Sequence, residues 1–184
     1  MKRFRPGVRC SLLFALAGCG SSIPATATRV VDVDAVAFST TAVCFVPPSA
    51  ELSSRERAEQ IRILEICQIA AQAQGVEVVP FGNEQCLAAT TTWETRDTGV
   101  RESECKRNLP GGECPSTGVH MKLLKLTLSR PGVDAAISHT TATILSNFEG
   151  FSAESFRTLC TAAFHDYPSA LSDVEFDVPS TSPR

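Results

Sequence analysis

The sequence predicts a single α+β domain, in which two helices pack on one face of a mostly antiparallel sheet of about four to six strands. Several segments alternate apolar and polar residues with a period of two, which is typical of half-buried strands. Two further segments repeat apolar residues at steps of three and four, which is typical of amphipathic helices. Hydrophobic residues make up 43% of the 184-residue chain and charged residues 20%, so the composition indicates a globular protein.

Residues 1–18, the leader, have the pattern of a secretory signal peptide. Basic residues open the chain, and a short apolar run leads into Leu16-Ala17-Gly18-Cys19. This ending resembles the lipobox of bacterial lipoproteins, in which the peptide is cut before the cysteine and the cysteine is acylated. The alternative is an ordinary core cysteine, but the order of charge, apolar run, small residues and cysteine favours lipidation. We therefore expect a lipid on Cys19 that anchors the chain to a membrane.

The residues after Cys19 predict where the anchor lies and how it joins the domain. By the same resemblance, Gly20 implies the outer membrane of a Gram-negative cell, with the domain on the periplasmic face. Residues 19–28 are mostly small and polar, which predicts a tether. The domain is expected over residues 29–178, and residues 179–184 are expected to form a disordered tail.

The charge excludes one class of partner. The chain has 17 Lys and Arg against 20 Asp and Glu, and four of the basic residues lie in the leader, which leaves a net charge of −7 for residues 19–184. That part of the chain has no basic cluster, so we expect no binding to nucleic acid, which needs several cations on one face. Outside the leader, no apolar run is long enough to span a bilayer.

The first half of the domain is predicted to contain strands around one long helix. Arg29–Phe38 is rich in β-branched residues and Ala42–Val46 is apolar, so each predicts a strand, and the second ends at two prolines. A helix is predicted over residues 52–74, with Ser49 or Ser53 as its N-cap. Its predicted apolar face consists of Ala58, Ile61, Leu64, Cys67 and Ala71.

The second half is predicted to contain strands, a long loop over residues 97–117 and a second helix. The predicted strands are Val76–Phe81, Cys86–Arg96, Val119–Leu128, Ala135–Ile144 and Asp173–Val178. The third and fourth strands form a hairpin, and the last is an edge strand with its carboxylates pointing outward. The helix is predicted over residues 152–167, with Ser152 as its N-cap. Its predicted apolar face consists of Phe156, Leu159, Cys160, Ala163, Phe164 and Tyr167.

Six cysteines remain once Cys10 of the leader and the lipidated Cys19 are set aside. Cysteines of an exported domain commonly pair, but spacing alone cannot choose among the possible connectivities. The candidate pairs are Cys105 with Cys114, Cys67 with Cys160, and Cys44 with Cys86. The first pair brackets a Pro-Gly-Gly turn, and the third lies near strand ends. The second lies on the apolar faces of the two helices, where it either forms a bridge or remains two buried thiols.

The sequence contains no recognisable catalytic or metal-binding motif. His120, His139 and His165 are too far apart in sequence to form a ligand pair, and the cysteine spacings are not those of a zinc site. Cys160 and His165 would lie on different faces of the second helix, and an oxidised Cys160 could not act as a nucleophile. We therefore expect no metal and no cofactor.

The order of the elements carries a resemblance. The lipobox, the Val43–Pro47 strand, the first helix, Gly75–Val78, the threonine-rich strand with Trp93, the hairpin and the last helix resemble small proteobacterial lipoproteins of unknown function. The resemblance covers roughly residues 10–170. It implies an α+β domain held at an envelope membrane and a disulfide between Cys44 and Cys86, and it implies no activity.

These observations favour a non-enzymatic lipoprotein that binds or supports another component of the cell envelope. The alternative is a small envelope hydrolase, whose acid and base would be carboxylates such as Glu94, Asp97 or Glu102. A concave pocket with convergent polar groups of perturbed pKa would favour the enzyme, and an open or apolar sheet face opposite the helices would favour a partner surface. The loop over residues 97–117 is expected to be exposed and either to contact a partner or to be an insertion without that role.

Overall fold

The computed structural model describes residues 22–31, 42–83, 85–103, 116–130 and 135–179. Within these ranges the chain forms two helices and six strands. In chain order the elements are β1 (Ser22–Val31), β2 (Val43–Phe45), α1 (Ser54–Ala73), β3 (Leu87–Ser103), β4 (Ser116–Ser129), β5 (Ala136–Ser146), α2 (Ala153–Phe164) and β6 (Leu171–Pro179).

All of these strands belong to one sheet, in the order β2-β3-β4-β5-β1-β6. β2 and β3 run parallel, and every other neighbouring pair is antiparallel. One hydrophobic core joins residues of both helices to the inward side of the sheet. The prediction of an α+β domain with two helices on a mostly antiparallel sheet is confirmed.

The alternation of β4 and β5 builds the centre of the core. Leu124, Leu126 and Leu128 on β4 are buried against the helices, together with Ala142 and Ile144 on β5. Burial of each leucine contributes about 2 kcal/mol of stability. The predicted hairpin is confirmed, and both of its strands are slightly longer than the alternation indicated.

Each helix begins at a serine. The Ser53 hydroxyl accepts a hydrogen bond from the N–H of Glu56, and the Glu56 carboxylate accepts one from the N–H of Ser53, so α1 begins with a capping box. α2 begins after Ser152, whose hydroxyl accepts a hydrogen bond from the N–H of Ser155 at 3.0 Å. Both N-caps were among those predicted.

The buried face of α1 agrees with the predicted one in part, since Cys67 and Ala71 are buried and Leu64 packs against the core. Ile61 is 44% exposed. A disulfide joins Cys67 on this face to Cys160 of α2. This pair therefore forms a bridge rather than two free thiols. The residues of α1 that become buried are Ile63, Cys67, Ala70 and Ala71.

A second disulfide joins Cys44 on β2 to Cys86 just before β3. It holds the short β2 beside β3, where the two strands pair over Val43–Phe45 and residues 87–89. A bridge that closes a loop of this length contributes about 4 kcal/mol in the chain-entropy account. Cys105 and Cys114 lie outside the described residues, so the third pair stays a prediction.

Strand β1 begins earlier than expected. Residues 22–28, expected to belong to the tether, form the first part of β1. Ala25 and Ala27 are buried toward the helices, while Thr26 between them faces the opposite side of the sheet. Small inward side chains suffice here because α2 packs closely over β1. The remainder of the predicted first strand, residues 32–38, lies outside the described residues.

Two other expectations need correction. Val76–Phe81 makes only an isolated bridge, between Val78 and Val43, because Pro80 cannot donate to a ladder. Pro179, expected in the tail, is the last residue of β6, whereas residues 180–184 lie outside the described residues. β6 lies at an edge of the sheet, as predicted, and its three carboxylates are exposed.

The predicted loop over residues 97–117 is partly strand, because the pairing of β3 with β4 continues into this range as far as Ser103 and Ser116. The pairing is irregular between Asp97 and Arg101, where Gly99 has a φ of 73° that glycine adopts readily. The β3 side of this arm is exposed, as expected. Its tip, residues 104–115, lies outside the described residues.

Arg29 is a buried cation that joins β1 to the end of α2, and it is 1% exposed. The guanidinium donates to the carbonyl oxygens of Ala163 (2.6 Å), His165 (3.0 Å) and Ser169 (2.8 Å), and Nε donates to Thr140 Oγ1 at 3.1 Å. The last turn of α2 has no basic residue, so Arg29 supplies the cation that a helix C-terminus favours. Burial lowers the pKa of Arg29 to about 10, which leaves it protonated at neutral pH.

Replacing Arg29 with methionine is expected to lower the free energy of unfolding by about 3 kcal/mol, because several buried carbonyl groups lose their donor. The control is Arg157→Met, which removes an exposed hydrogen bond of 3.0 Å to the carbonyl of Pro179. A surface change of this kind should cost about 0.5 kcal/mol or less. Urea denaturation of the oxidised proteins measures both values, and equal losses in the two variants would contradict this role of Arg29.

Candidate functional site

A small cleft opens between α1, β3 and the chain that follows β2. Its volume is about 140 Å³. Gln60 and Leu64 of α1, Thr90, Thr91 and Trp93 of β3, and residues 46–49 form its walls. None of these side chains ionises. The cleft therefore offers hydroxyl and amide groups beside apolar surface, with no charge.

Two prolines explain why the cleft exists. Val46, just past the end of β2, still donates its N–H to the carbonyl of Ala89 at 3.0 Å. Pro47 and Pro48 then end the pairing, since neither can donate to a ladder. β3 continues well beyond this point. The cleft lies where this pairing ends, beside Trp93.

Trp93 is held in place by packed aromatic rings. Its indole meets the ring of Phe156 edge-on, with 5.6 Å between centroids and an interplanar angle of 88°. Phe156 is in turn stacked on Phe151 at 4.6 Å. Such ring pairs restrict rotation of the indole. The chain has a single tryptophan, so this cleft contains its only indole.

The edge of β3 beside the cleft has backbone groups that point away from β4. β2 pairs with the backbone of Leu87 and Ala89 on this side. Because backbone groups alternate along a strand, those of Thr91, Trp93 and Thr95 point the same way. Among the described residues, no strand pairs with β3 on this side beyond residue 89.

The sheet face opposite the helices is open in the part of the chain that the structure describes. Neighbouring threonines form its centre, with Thr28 opposite Thr141 and Thr26 opposite Thr143. Exposed apolar side chains, such as Val30 at 65%, are separated by these threonines. This face is open and mixed in character rather than apolar, and an open face is the feature that favours a partner surface.

Lys122 is a second buried cation, on the inward side of β4. Its side chain is fully buried. The ammonium donates to the carbonyl of Gly150 and to Ser155 Oγ (3.2 Å), and it lies 5.3 Å and 5.5 Å from the ring centroids of Phe148 and Phe151. Both accepting oxygens are uncharged. Burial accordingly lowers the pKa of Lys122.

The carboxylates suggested for a hydrolase do not form an acid–base pair in the described residues. The Arg96 guanidinium bound to Glu94, together with Lys125 at 3.3 Å, lowers the pKa of Glu94. A hydrogen bond from the N–H of Gly99 lowers the pKa of Asp97. A general acid needs a raised pKa, so neither carboxylate is prepared for that role. The structure does not describe the side chain of Glu102.

The three histidines lie apart from one another and from the cleft. His139 shares a hydrogen bond with Thr127 at 3.2 Å, and His165 stacks on Phe176 at 4.2 Å. His120 pairs in register with Asp97 on the hairpin arm. In the described ranges, no group of three His, Cys, Asp or Glu side chains is arranged to hold a metal ion.

Of the cysteines singled out from the sequence, four form the two observed disulfides. Cys160 is one of them and cannot serve as a nucleophile in that state. Cys19 lies outside the described residues, so its lipid stays a prediction. No helix among the described residues is long and apolar enough to cross a membrane.

Sequence reasoning missed the cleft and both buried cations. The cations had a signal, because Arg29 and Lys122 fall on the inward side of their strands in the same alternation as their buried neighbours. The cleft had none, since its walls come from separate segments that meet only in the folded chain.

No known protein family and no curated protein matches this sequence. Among solved structures, the chain is similar to a PDZ domain protein from Parabacteroides distasonis, with a TM-score of 0.50 and 11% identity over 86% of this chain. It spans 39% of that protein, and the likeness concerns the fold alone. A PelC dodecamer from Paraburkholderia phytofirmans gives a TM-score of 0.39 at 12% identity, over 74% of this chain and 92% of that one, which is too low to support an argument.

Replacing Lys122 with methionine should change how stability depends on pH. The unfolded chain keeps the lysine proton up to about 10.5, whereas the folded chain releases it earlier. The unfolding free energy of the parent should therefore rise, relative to the variant, as pH increases from the lowered pKa toward 10.5. Denaturation at a series of pH values measures this. Lys125→Met removes an exposed ammonium from the other side of β4, and the prediction is wrong if both variants give the same profile.

Proposed function

We propose that this protein is a lipid-anchored, non-enzymatic component of the bacterial cell envelope that binds another envelope component. In this proposal Cys19 carries the lipid, and the domain lies on the periplasmic face of the outer membrane. The observation that carries the binding function is the uncharged cleft beside Trp93, which adjoins a free strand edge.

The anchor is supported by the order of basic start, apolar run and Leu16-Ala17-Gly18-Cys19 in the sequence. The disulfides support an exported location, because cysteine pairs persist mainly in oxidising compartments. β1 begins at Ser22, only a few residues after Cys19. A lipid on that cysteine would thus hold the sheet close to the membrane surface.

Binding is supported over catalysis by the chemistry of the cleft. Its polar groups are hydroxyls and an amide, which form hydrogen bonds but do not exchange protons near neutral pH. The ionised Glu94 lies outside the cleft, on the open side of the sheet, where Arg96 and Lys125 neutralise it. No observation on the described residues favours the hydrolase alternative.

Replacing Cys19 with serine should abolish labelling by fatty-acid analogues and should leave the leader uncut, since acylation precedes cleavage in lipoproteins. The measurement is metabolic labelling in a bacterial host, followed by gel analysis and membrane fractionation. Cys10→Ser is the matched control, because it removes a thiol within the leader and should leave labelling unchanged. Persistent labelling of the Cys19→Ser protein would contradict the anchor.

A photo-crosslinking residue at Thr90 should capture a defined envelope component in intact cells, because the exposed Thr90 side chain borders the cleft. The control position is Ser172, which is exposed on β6 at the other edge of the sheet. Captured partners are identified by mass spectrometry. Equal capture of the same molecules from both positions would show that the cleft is not the binding site.

A further inference from the structure

The two edges of the sheet differ in how they are protected. β6 carries Asp173, Glu175 and Asp177 with exposed side chains, and charges in such a row discourage pairing with another strand. The free stretch of β3, Thr90–Thr95, has no proline or lysine and one charged residue, Glu94. In the described part of the sheet, β3 is therefore the edge that can accept a further strand.

The backbone of this stretch determines the chemistry of what can bind. Thr91, Trp93 and Thr95 direct alternating N–H and C=O groups toward the vacant side. An extended polypeptide presents the matching series of acceptors and donors at the same spacing. The cleft adjoins Pro47 and Pro48, where the pairing of β2 with β3 has ended. A bound segment would pair with β3 beyond this point.

The cleft sets the requirement for one side chain of that segment. Its volume is about 140 Å³. A protein cavity of about 150 Å³ holds a benzene ring, so a leucine, a methionine or an aromatic ring of the segment can be accommodated. The absence of ionisable side chains from its walls disfavours a charged residue, which would be desolvated without a partner.

We propose that this protein binds an extended, proline-free peptide segment of its envelope partner, which adds to the sheet along Thr90–Thr95 and inserts one uncharged side chain beside Trp93. This inference rests on the proposed binding function and specifies the kind of partner. A second copy of the chain that paired through its β6 fits less well, because that edge carries three carboxylates.

The test uses the full-length protein in detergent and a pooled library of blocked, proline-free peptides as long as the free stretch of β3. Emission from Trp93, the only tryptophan, reports occupation of the cleft. We expect the library to yield peptides that shift this emission saturably. Such a peptide can be N-methylated at alternate residues in two ways. Methylation of the N–H groups that face β3 should weaken binding about tenfold or more, because their hydrogen bonds to β3 are lost. Methylation of the N–H groups that face away from β3 should have little effect.

Matched variants separate strand pairing from packing in the cleft. Thr91→Pro removes an N–H that points away from β4. It should therefore weaken peptide binding about tenfold or more while the sheet remains intact. Thr91→Val keeps the N–H and should bind like the parent. Gln60→Tyr narrows the cleft without altering the sheet, so it should also weaken peptide binding. This variant keeps the test decisive should Thr91→Pro fail to fold.

Each outcome decides the inference. A library without any peptide that shifts Trp93 emission overturns it. Binding that survives both Thr91→Pro and N-methylation of either set of N–H groups also overturns it, since the cleft would then hold a side chain without an added strand. The proposed function is judged separately. Capture of one defined partner from Thr90 in cells, together with failure of the peptides, would retain the binding function and indicate a folded surface as its ligand.

Discussion

The arrangement of the helices on the sheet depends on one buried guanidinium. Arg29 extends from β1 to β5 through Thr140 and to the carbonyl groups at the end of α2. It also donates to Ser169, in the connection that leads to β6. A single side chain of β1 is thus hydrogen-bonded to a second strand, a helix end and a turn. A guanidinium suits this position because its donors are fixed in one plane and diverge.

The cleft inherits its geometry from this arrangement through α2. The Cys67–Cys160 disulfide connects α2 to α1, and α1 contributes Gln60 and Leu64 to the cleft. The opposite wall follows β2, which the Cys44–Cys86 disulfide holds beside β3. Each wall of the cleft is therefore covalently tied to the rest of the domain. A cleft constrained in this way loses little conformational entropy when a ligand enters it.

Local patterns predicted the parts of the fold that depend on local physics. The β4–β5 hairpin followed from alternation, and Ser152 and one of the two serines considered for α1, Ser53, followed from the hydroxyl groups that helix N-termini require. The start of β1 was not predicted, because Ser22–Thr28 is composed of small residues that also suit a tether. Their selection as a strand depends on α2, which is distant in sequence and covers the buried alanines.

The cleft could not be predicted, because its walls come from separate segments that meet only in the folded chain. The two buried cations were missed for a different reason. A charged residue in a strand is normally assigned to the exposed side, since burying a charge is expensive unless it is hydrogen-bonded. Only the folded chain shows that the carbonyl groups at the end of α2 compensate Arg29, and that Gly150 and Ser155 compensate Lys122. The face of α1 was predicted in part, since Cys67 and Ala71 are buried as expected, whereas Ile61 is exposed.

The connectivity of the observed disulfides has a consequence for how the protein matures. In chain order the four cysteines are Cys44, Cys67, Cys86 and Cys160, and the bonds join the first to the third and the second to the fourth. If the residues of the domain emerge on export in chain order, Cys44 and Cys67 appear before either native partner. Oxidation in order of arrival would join these two, and the bond would have to exchange through a mixed disulfide before the native pairs form. Biogenesis on this route would therefore require a disulfide isomerase in addition to an oxidase.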